Sequence, residues 1–184
     1  LTGTSTAALF RILIDNRLNH TADTVKIAMF GGQIEVGNYA TSYIPTSGSQ
    51  VTRAADVYTS TPNLTETFEP RGLLIEEART NVGYYSEDLS NSAWSKNSAV
   101  IGGTTTSPRG DNTAYLVKPD GSTNAHYRLN QQIVGSLSNG TYTTSVFVKP
   151  AGLRYFHFRT GSGGSNIGTC FDLQEGIALS QGYY

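Results

Sequence analysis

Short alternating segments separated by turn residues recur along this chain, and no long stretch keeps a helical period. Residues 142–149 (YTTSVFVK) and 154–160 (RYFHFRT) alternate with a period of two, the spacing of a strand with one buried face. Between such segments stand turn signals with a mechanism. Asn139-Gly140 is a hairpin dipeptide, and in Lys118-Pro119-Asp120-Gly121 proline pre-sets φ while glycine supplies φ > 0. Gln174-Glu175-Gly176 reads as a further hairpin turn. Many short strands at regular spacing, without a solenoid repeat, predict an all-β fold, an antiparallel β-sandwich or jelly roll.

Other strands follow from the same reading. Residues 7–14 (AALFRILI) form an apolar run expected to be buried on both faces. Residues 24–30 place Val25, Ile27 and Met29 on one side, and Gly31-Gly32 permits a bulge before the strand resumes at 33–36. Strands are also expected at 51–57, 73–77, 114–117, 125–134, around Cys170 and at 177–180. Residues 16–23, 38–48, 81–97 and 161–165 read as loops, and 58–71 is the best linker.

Composition excludes several classes. Thirteen Lys and Arg against 14 Asp and Glu give a net charge of -1, with no basic footprint for nucleic acid. No apolar run is long enough for a membrane span, and no signal-peptide pattern is present. The chain starts without Met and stops in mid-pattern, as if cut from something longer. Cys170 stands alone in an alternating segment and reads as a small buried apolar residue. Nucleophile-elbow, zincin, Walker and EF-hand patterns are missing, so no enzyme is expected. His20, His126 and His157 are too scattered for a readable metal site. Glu66, Glu69, Glu76 and Glu77 offer carboxylates for glycoside hydrolysis, but Glu76 and Glu77 are adjacent and would point to opposite strand faces. Three Asn-x-Thr sequons, at Asn19, Asn63 and Asn139, matter only in a eukaryotic secretory pathway.

A different chemistry is open to the alternating strands. Sugar recognition uses aromatic faces with polar groups that bond hydroxyls. On 154–159, Arg154, Phe156 and Phe158 share one face, and the two Phe mark it as inward. Tyr155, His157 and Arg159 share the other. On 125–134, His126, Arg128, Asn130 and Gln132 lie opposite Tyr127, Leu129, Gln131 and Ile133. In one sheet the two polar stripes would make a shallow glycan-binding face; the plainer reading is a solvent face with cross-strand polar pairs. Trp94, the only Trp, is either a sugar platform or an anchor that packs its loop on the sandwich. The candidate ligand residues are thus Tyr155, His157, Arg159, His126, Arg128, Asn130 and Trp94.

Two further stretches carry a resemblance. Residues 31–57 read GGQIEVGNYATSYIPTSGSQVTRAADV, and residues 72–94 read GLLIEEARTNVGYYSEDLSNSAW. With 140–149 (GTYTTSVFVK) and 171–176 (FDLQEG), they resemble a β-sandwich module of bacteriophage tail fibres and other virion-surface proteins. That module is similar to the jelly-roll carbohydrate-binding modules. In that family the GLLIE-ARTN motif opens the module and the ATSYIPT…RAADV motif closes it; here the closing motif comes first. Residues 1–57 resemble the C-terminal-type half of a module and 72–184 the N-terminal-type half, together about one domain's worth. Three arrangements fit: a permuted module, a window across two tandem modules, or halves completed by neighbouring subunits through strand exchange.

The resemblance implies a non-catalytic protein on the virion surface, in a tail fibre, spike or capsid exterior. Its expected partners are host-cell or environmental glycans, other virion proteins and further copies of itself, a trimer above other oligomers. The alternatives are a purely structural capsid decoration or fibre-shaft protein, and an accessory domain of a polysaccharide-degrading tailspike. No cofactor is expected. Related modules often carry a structural calcium, but no calcium loop is spelled here.

Overall fold

The computed structural model describes residues 7–15, 26–57, 74–122, 126–134, 140–162 and 165–182. The expected linker at 58–71, the loop at 16–23, Val25, Glu66 and Glu69 lie outside the described residues. In chain order the strands are β1 (Ala7–Asp15), β2 (Ile27–Val36), β3 (Val51–Arg53), β4 (Arg79–Asn81), β5 (Ser95–Asn97), β6 (Ala99–Thr105), β7 (Ala114–Pro119), β8 (His126–Val134), β9 (Tyr142–Pro150), β10 (Tyr155–Ser162), β11 (Ser165–Asp172) and β12 (Ile177–Gly182). Among the described residues every regular element is a strand, and every pairing is antiparallel. The all-β expectation holds.

Six strands form one sheet in the order β12-β11-β10-β1-β8-β5, and four form a second in the order β6-β7-β2-β9. A short ladder joins β3 to β4. The first two strands are therefore central ones: β1 lies between β8 and β10, and β2 lies between β7 and β9. Residues near the start of the chain complete both sheets built by residues from its second half.

The two sheets share one core. Phe10 and Ile12 of β1, Leu129 and Ile133 of β8 and Phe156 of β10 meet Ile27, Met29 and Ile34 of β2 and Val117 of β7 in one buried cluster. Each such side chain contributes about 1.5–3 kcal/mol by leaving water. Strand β2 keeps its core contacts through a bulge. Between Phe30 and Gln33 it spends one more residue than β9 does, and Gly31 takes a φ of 66° there. The extra residue shifts the alternation, so Ile34 faces the core as Met29 does. Gly32 is held to a backbone by space as well: a Cβ there would lie 3.1 Å from the Trp94 ring.

Several expectations are corrected. Residues 73–77 were expected as a strand, yet 74–78 form none and the strand is β4. The Asp56 N–H donates to the Glu76 carbonyl, and the Glu76 N–H donates to the Asp56 carboxylate, so one backbone and one side-chain acceptor stand in for a ladder. Strand β3 stops at Arg53 instead of reaching 57. Arg154 does not share the inward face of β10; it precedes the strand, exposed, and grips Asp172 through two nitrogens at 2.6–3.0 Å. Cys170 is half-buried, and it does not belong to the core.

Asp172 also accepts the Gln174 and Glu175 N–H groups at the β11–β12 turn. The Arg154 hydrogen bonds, then these backbone donors, hold its carboxyl below the ordinary carboxylate range. A depressed folded-state pKa gives stability that is present at neutral pH and lost as pH falls through the folded value. Asp172→Asn is therefore expected to lower the urea midpoint at pH 7 and to narrow its difference from the parent at pH 3. An unchanged difference at the two pH values would disprove this role.

Candidate functional site

Many polar groups of the two long motifs are taken up by contacts between them or within one of them. Asn81 is fully buried; its Oδ1 accepts the N–H groups of Ile34 and Gly83 at 3.1 and 3.0 Å, and its Nδ2 donates to the carbonyls of Gly32 and Ile44. Ser86 Oγ accepts the Thr46 N–H and the Tyr43 hydroxyl, while Thr46 Oγ1 donates to the Gly83 carbonyl. Burial pushes the Tyr43 hydroxyl pKa well up. Glu76 accepts from Arg53 at 2.6 Å and from the Ser42 N–H at 2.7 Å. These bonds, with those from Ser42 leading, hold the Glu76 carboxyl below its ordinary range. Gln33 and Glu35, buried on the outer side of β2, bind the 41–44 loop: Glu35 accepts the Thr41 N–H and hydroxyl, both at 2.7 Å. The motifs clamp the fold together, and their side chains leave little to offer a ligand.

The outer face of the six-stranded sheet is different. On β10, Phe156 is buried and Phe158 packs on the core, while Tyr155, His157 and Arg159 alternate outward. On β8, Tyr127, Leu129, Gln131 and Ile133 are buried, and Arg128, Asn130 and Gln132 alternate with them. The two stripes do not touch directly, because β1 runs between them. It inserts Arg11, which pairs in register with Asn130 on one side and Arg159 on the other. The Arg11 Nε–H donates to Asn130 Oδ1 at 2.9 Å, and Asn130 Nδ2 donates to Asn97 Oδ1 at 3.0 Å. Burial, then the charges of Arg128 and Arg159, lower the Arg11 pKa from its ordinary value. Three guanidinium groups therefore share one patch. Gly168, opposite Arg159 on β11, makes room: a Cβ there would lie 2.6 Å from His157 Nε2 and 2.8 Å from Arg159 Cγ. Tyr155 remains 39% exposed, with the Arg154 guanidinium 5.4 Å from its ring centroid.

Of the expected ligand residues, the structure groups Tyr155, His157, Arg159, Arg128 and Asn130 on one sheet face. Asn130 is nearly buried and serves to position Arg11. The backbone of His126 pairs with Asp15, and its side chain lies outside the described set. Trp94 is a correction. It is buried to 2% exposure, edge-on to Phe10 at 5.3 Å, and its indole N–H donates to the Tyr85 carbonyl at 2.9 Å. A ring enclosed on this scale has no open face for a sugar, so Trp94 is an anchor. Arg11 is not among the expected ligand residues; it is half-buried between the buried Phe10 and Ile12, and a lone Arg inside AALFRILI is the signal that this position does not face the core.

No family model, no curated protein and no solved structure matches this chain. Its function must be read from side-chain chemistry, and two other concavities bear on the choice. A cavity of about 200 Å³ on the four-stranded sheet is lined by Ala28, Phe30, Pro108, Phe147 and Lys149. Its polar neighbours are engaged: Lys149 donates to the Thr106 carbonyl, and Arg109 lies 4.8 Å over Phe30 while pairing with Glu87. A cleft of about 320 Å³ between β9 and β10–β11 is lined mainly by Val146, Val148, Phe156, Phe158 and Phe171. It has an apolar wall and few groups to orient a sugar.

Proposed function

We propose that this chain is a non-catalytic glycan-binding module of a virion surface, of the jelly-roll type. The observation that carries the reading is the outer face of the six-stranded sheet, where Tyr155, His157 and Arg159 stand beside Arg11 and Arg128. An exposed aromatic ring beside planar donors is the chemistry that stacks on a pyranose and bonds its hydroxyls. Placement at the particle surface follows from the motif resemblance. The pairing of those two motifs within one chain supports a permuted module, with the early strands completing sheets that the late strands begin. Exposed apolar side chains on edge strands β9 and β12, Phe147 and Ile177 among them, support association with further copies, a trimer above others.

A glycan array tests the reading. Tyr155→Ala and His157→Ala are each expected to weaken binding about tenfold, equivalent to about 1.4 kcal/mol. Gly168→Val is expected to do the same without touching a ligand, by displacing His157 and Arg159. Binding to no glycan, together with stable incorporation into particles, would overturn the proposal in favour of a structural decoration or fibre-shaft protein.

A further inference from the structure

We infer that the sheet face around Arg11 selects acidic saccharides, chains whose sugars carry carboxylates, over neutral ones. The inference rests on the glycan-binding reading of that face and names its ligand class.

Register is the first ground. Arg11 and Arg159 are directly opposed on neighbouring strands, and Arg128 lies two residues from Asn130, Arg11's partner on the other side. Like charges directly opposite weaken strand pairing, so a sheet face selected only for stability would place an opposite or neutral group here. The second ground is how the charges are held. Asn130 takes one of the Arg11 N–H donors with a neutral amide oxygen, and Asn97 fixes Asn130 in turn. That contact orients the guanidinium without cancelling its charge. The Arg128 Nε is buried and has no hydrogen-bond acceptor among the described residues. Burial first, and then the charges of Arg128 and Arg159, lower the Arg11 pKa from its ordinary value.

The geometry also favours a chain over a small ion. Strands lie about 4.8 Å apart, so the β8, β1 and β10 positions spread cationic groups over about 10 Å. That span suits successive charged residues of a polymer better than a single anion. Guanidinium forks match carboxylates bidentately. Tyr155, His157 and Gln132 on the same face add the ring and the hydroxyl partners that saccharides use and that a bare polyanion would not need.

The test is binding of the full chain to immobilised polygalacturonate, dextran and poly-L-aspartate at two salt concentrations. Tighter binding to polygalacturonate than to either control, weakened by salt, is expected. Arg159→Gln and Arg128→Gln should each weaken it at least fivefold, and the pair more, with a clearly smaller loss for dextran, whose hydroxyls the glutamine amide can still bond. Arg128→Gln should keep the parent's thermal midpoint or exceed it, because it removes a like charge beside Arg11. If one fails to fold, the other carries the test. Dextran bound as tightly as polygalacturonate would overturn the acidic preference and leave the glycan reading standing. Poly-L-aspartate bound equally well would overturn it too, leaving an indiscriminate anion patch. Binding to no saccharide would overturn both readings.

Discussion

Asn81→Leu is expected to destabilise the protein by about 4 kcal/mol, a large share of the 5–15 kcal/mol that typical domains have. Leucine has a similar size, so the loss is not one of volume. It comes from hydrogen bonds: the Ile34 and Gly83 N–H groups lose their shared acceptor, and the Gly32 and Ile44 carbonyls lose a donor. Each buried group left without a partner costs about 1–3 kcal/mol. Asn81→Asp sharpens the test, because the carboxylate keeps the acceptor but turns a donor into a negative charge against two carbonyls. Burial there would raise the aspartate pKa above its unfolded value. The folded state would then hold the proton more tightly, and stability would fall as pH rises through that interval. Compared with the parent at each pH, Asn81→Asp should be less damaging at pH 4 than at pH 7. Urea midpoints for parent and variants at both pH values decide it. An Asn81→Leu loss below about 1 kcal/mol would show that the clamp is dispensable.

The same residue shows what the two long stretches do instead of forming the candidate ligand face. ATSYIPT supplies Tyr43, Ile44 and Thr46; ARTN and YSED supply Asn81 and Ser86; RAAD and LLIEE supply Arg53, Asp56 and Glu76. Nearly every one of these groups bonds to a group from the other motif. A clamp of this kind needs particular atoms at particular positions, which is what makes it legible as a pattern. A binding face needs only suitable side chains turned outward, and it leaves a much weaker trace.

What was legible follows that distinction. The faces of β8 and β10 were readable because alternation is local: Phe156 inward and Tyr155 outward need only a period of two. The Gly31-Gly32 bulge was readable because two glycines inside a strand pattern have few other uses. The role of Arg11 was not, because 119 residues separate it from its partner Asn130. Whether the outer side of a central strand is wet depends on what other layers cover it, which no local window contains. Strand β6 went unread because Gly102 and Gly103 interrupt it at another register shift. Residues 74–77 form no strand for the opposite reason. Their strand-like local composition yields to the Asp56 and Glu76 bonds, made from 20 residues away.

Trp94 offers the second large effect and separates anchor from platform. Trp94→Ala is expected to cost about 3–5 kcal/mol, the range for emptying a large aromatic site in a close-packed core. The ring fills space between the sheets: it meets Phe10 of β1 edge-on, and its far edge lies against Gly32 of β2. Neither neighbour can fill the gap without moving a central strand, which puts the expected loss toward the upper end. Trp94→Phe keeps most of the packing and removes the indole N–H that caps the Tyr85 carbonyl. About 1–2 kcal/mol is expected there, from the unpaired carbonyl and the smaller ring. An anchor and a sugar platform then diverge. Trp94→Phe should leave glycan affinity where it was, at temperatures where the variant is folded, whereas Tyr155→Ala should lower affinity and leave the urea midpoint nearly unchanged. A Trp94→Phe variant with parental stability and weakened glycan binding would reverse the assignment, and would mean that the Trp94 loop opens to expose the ring.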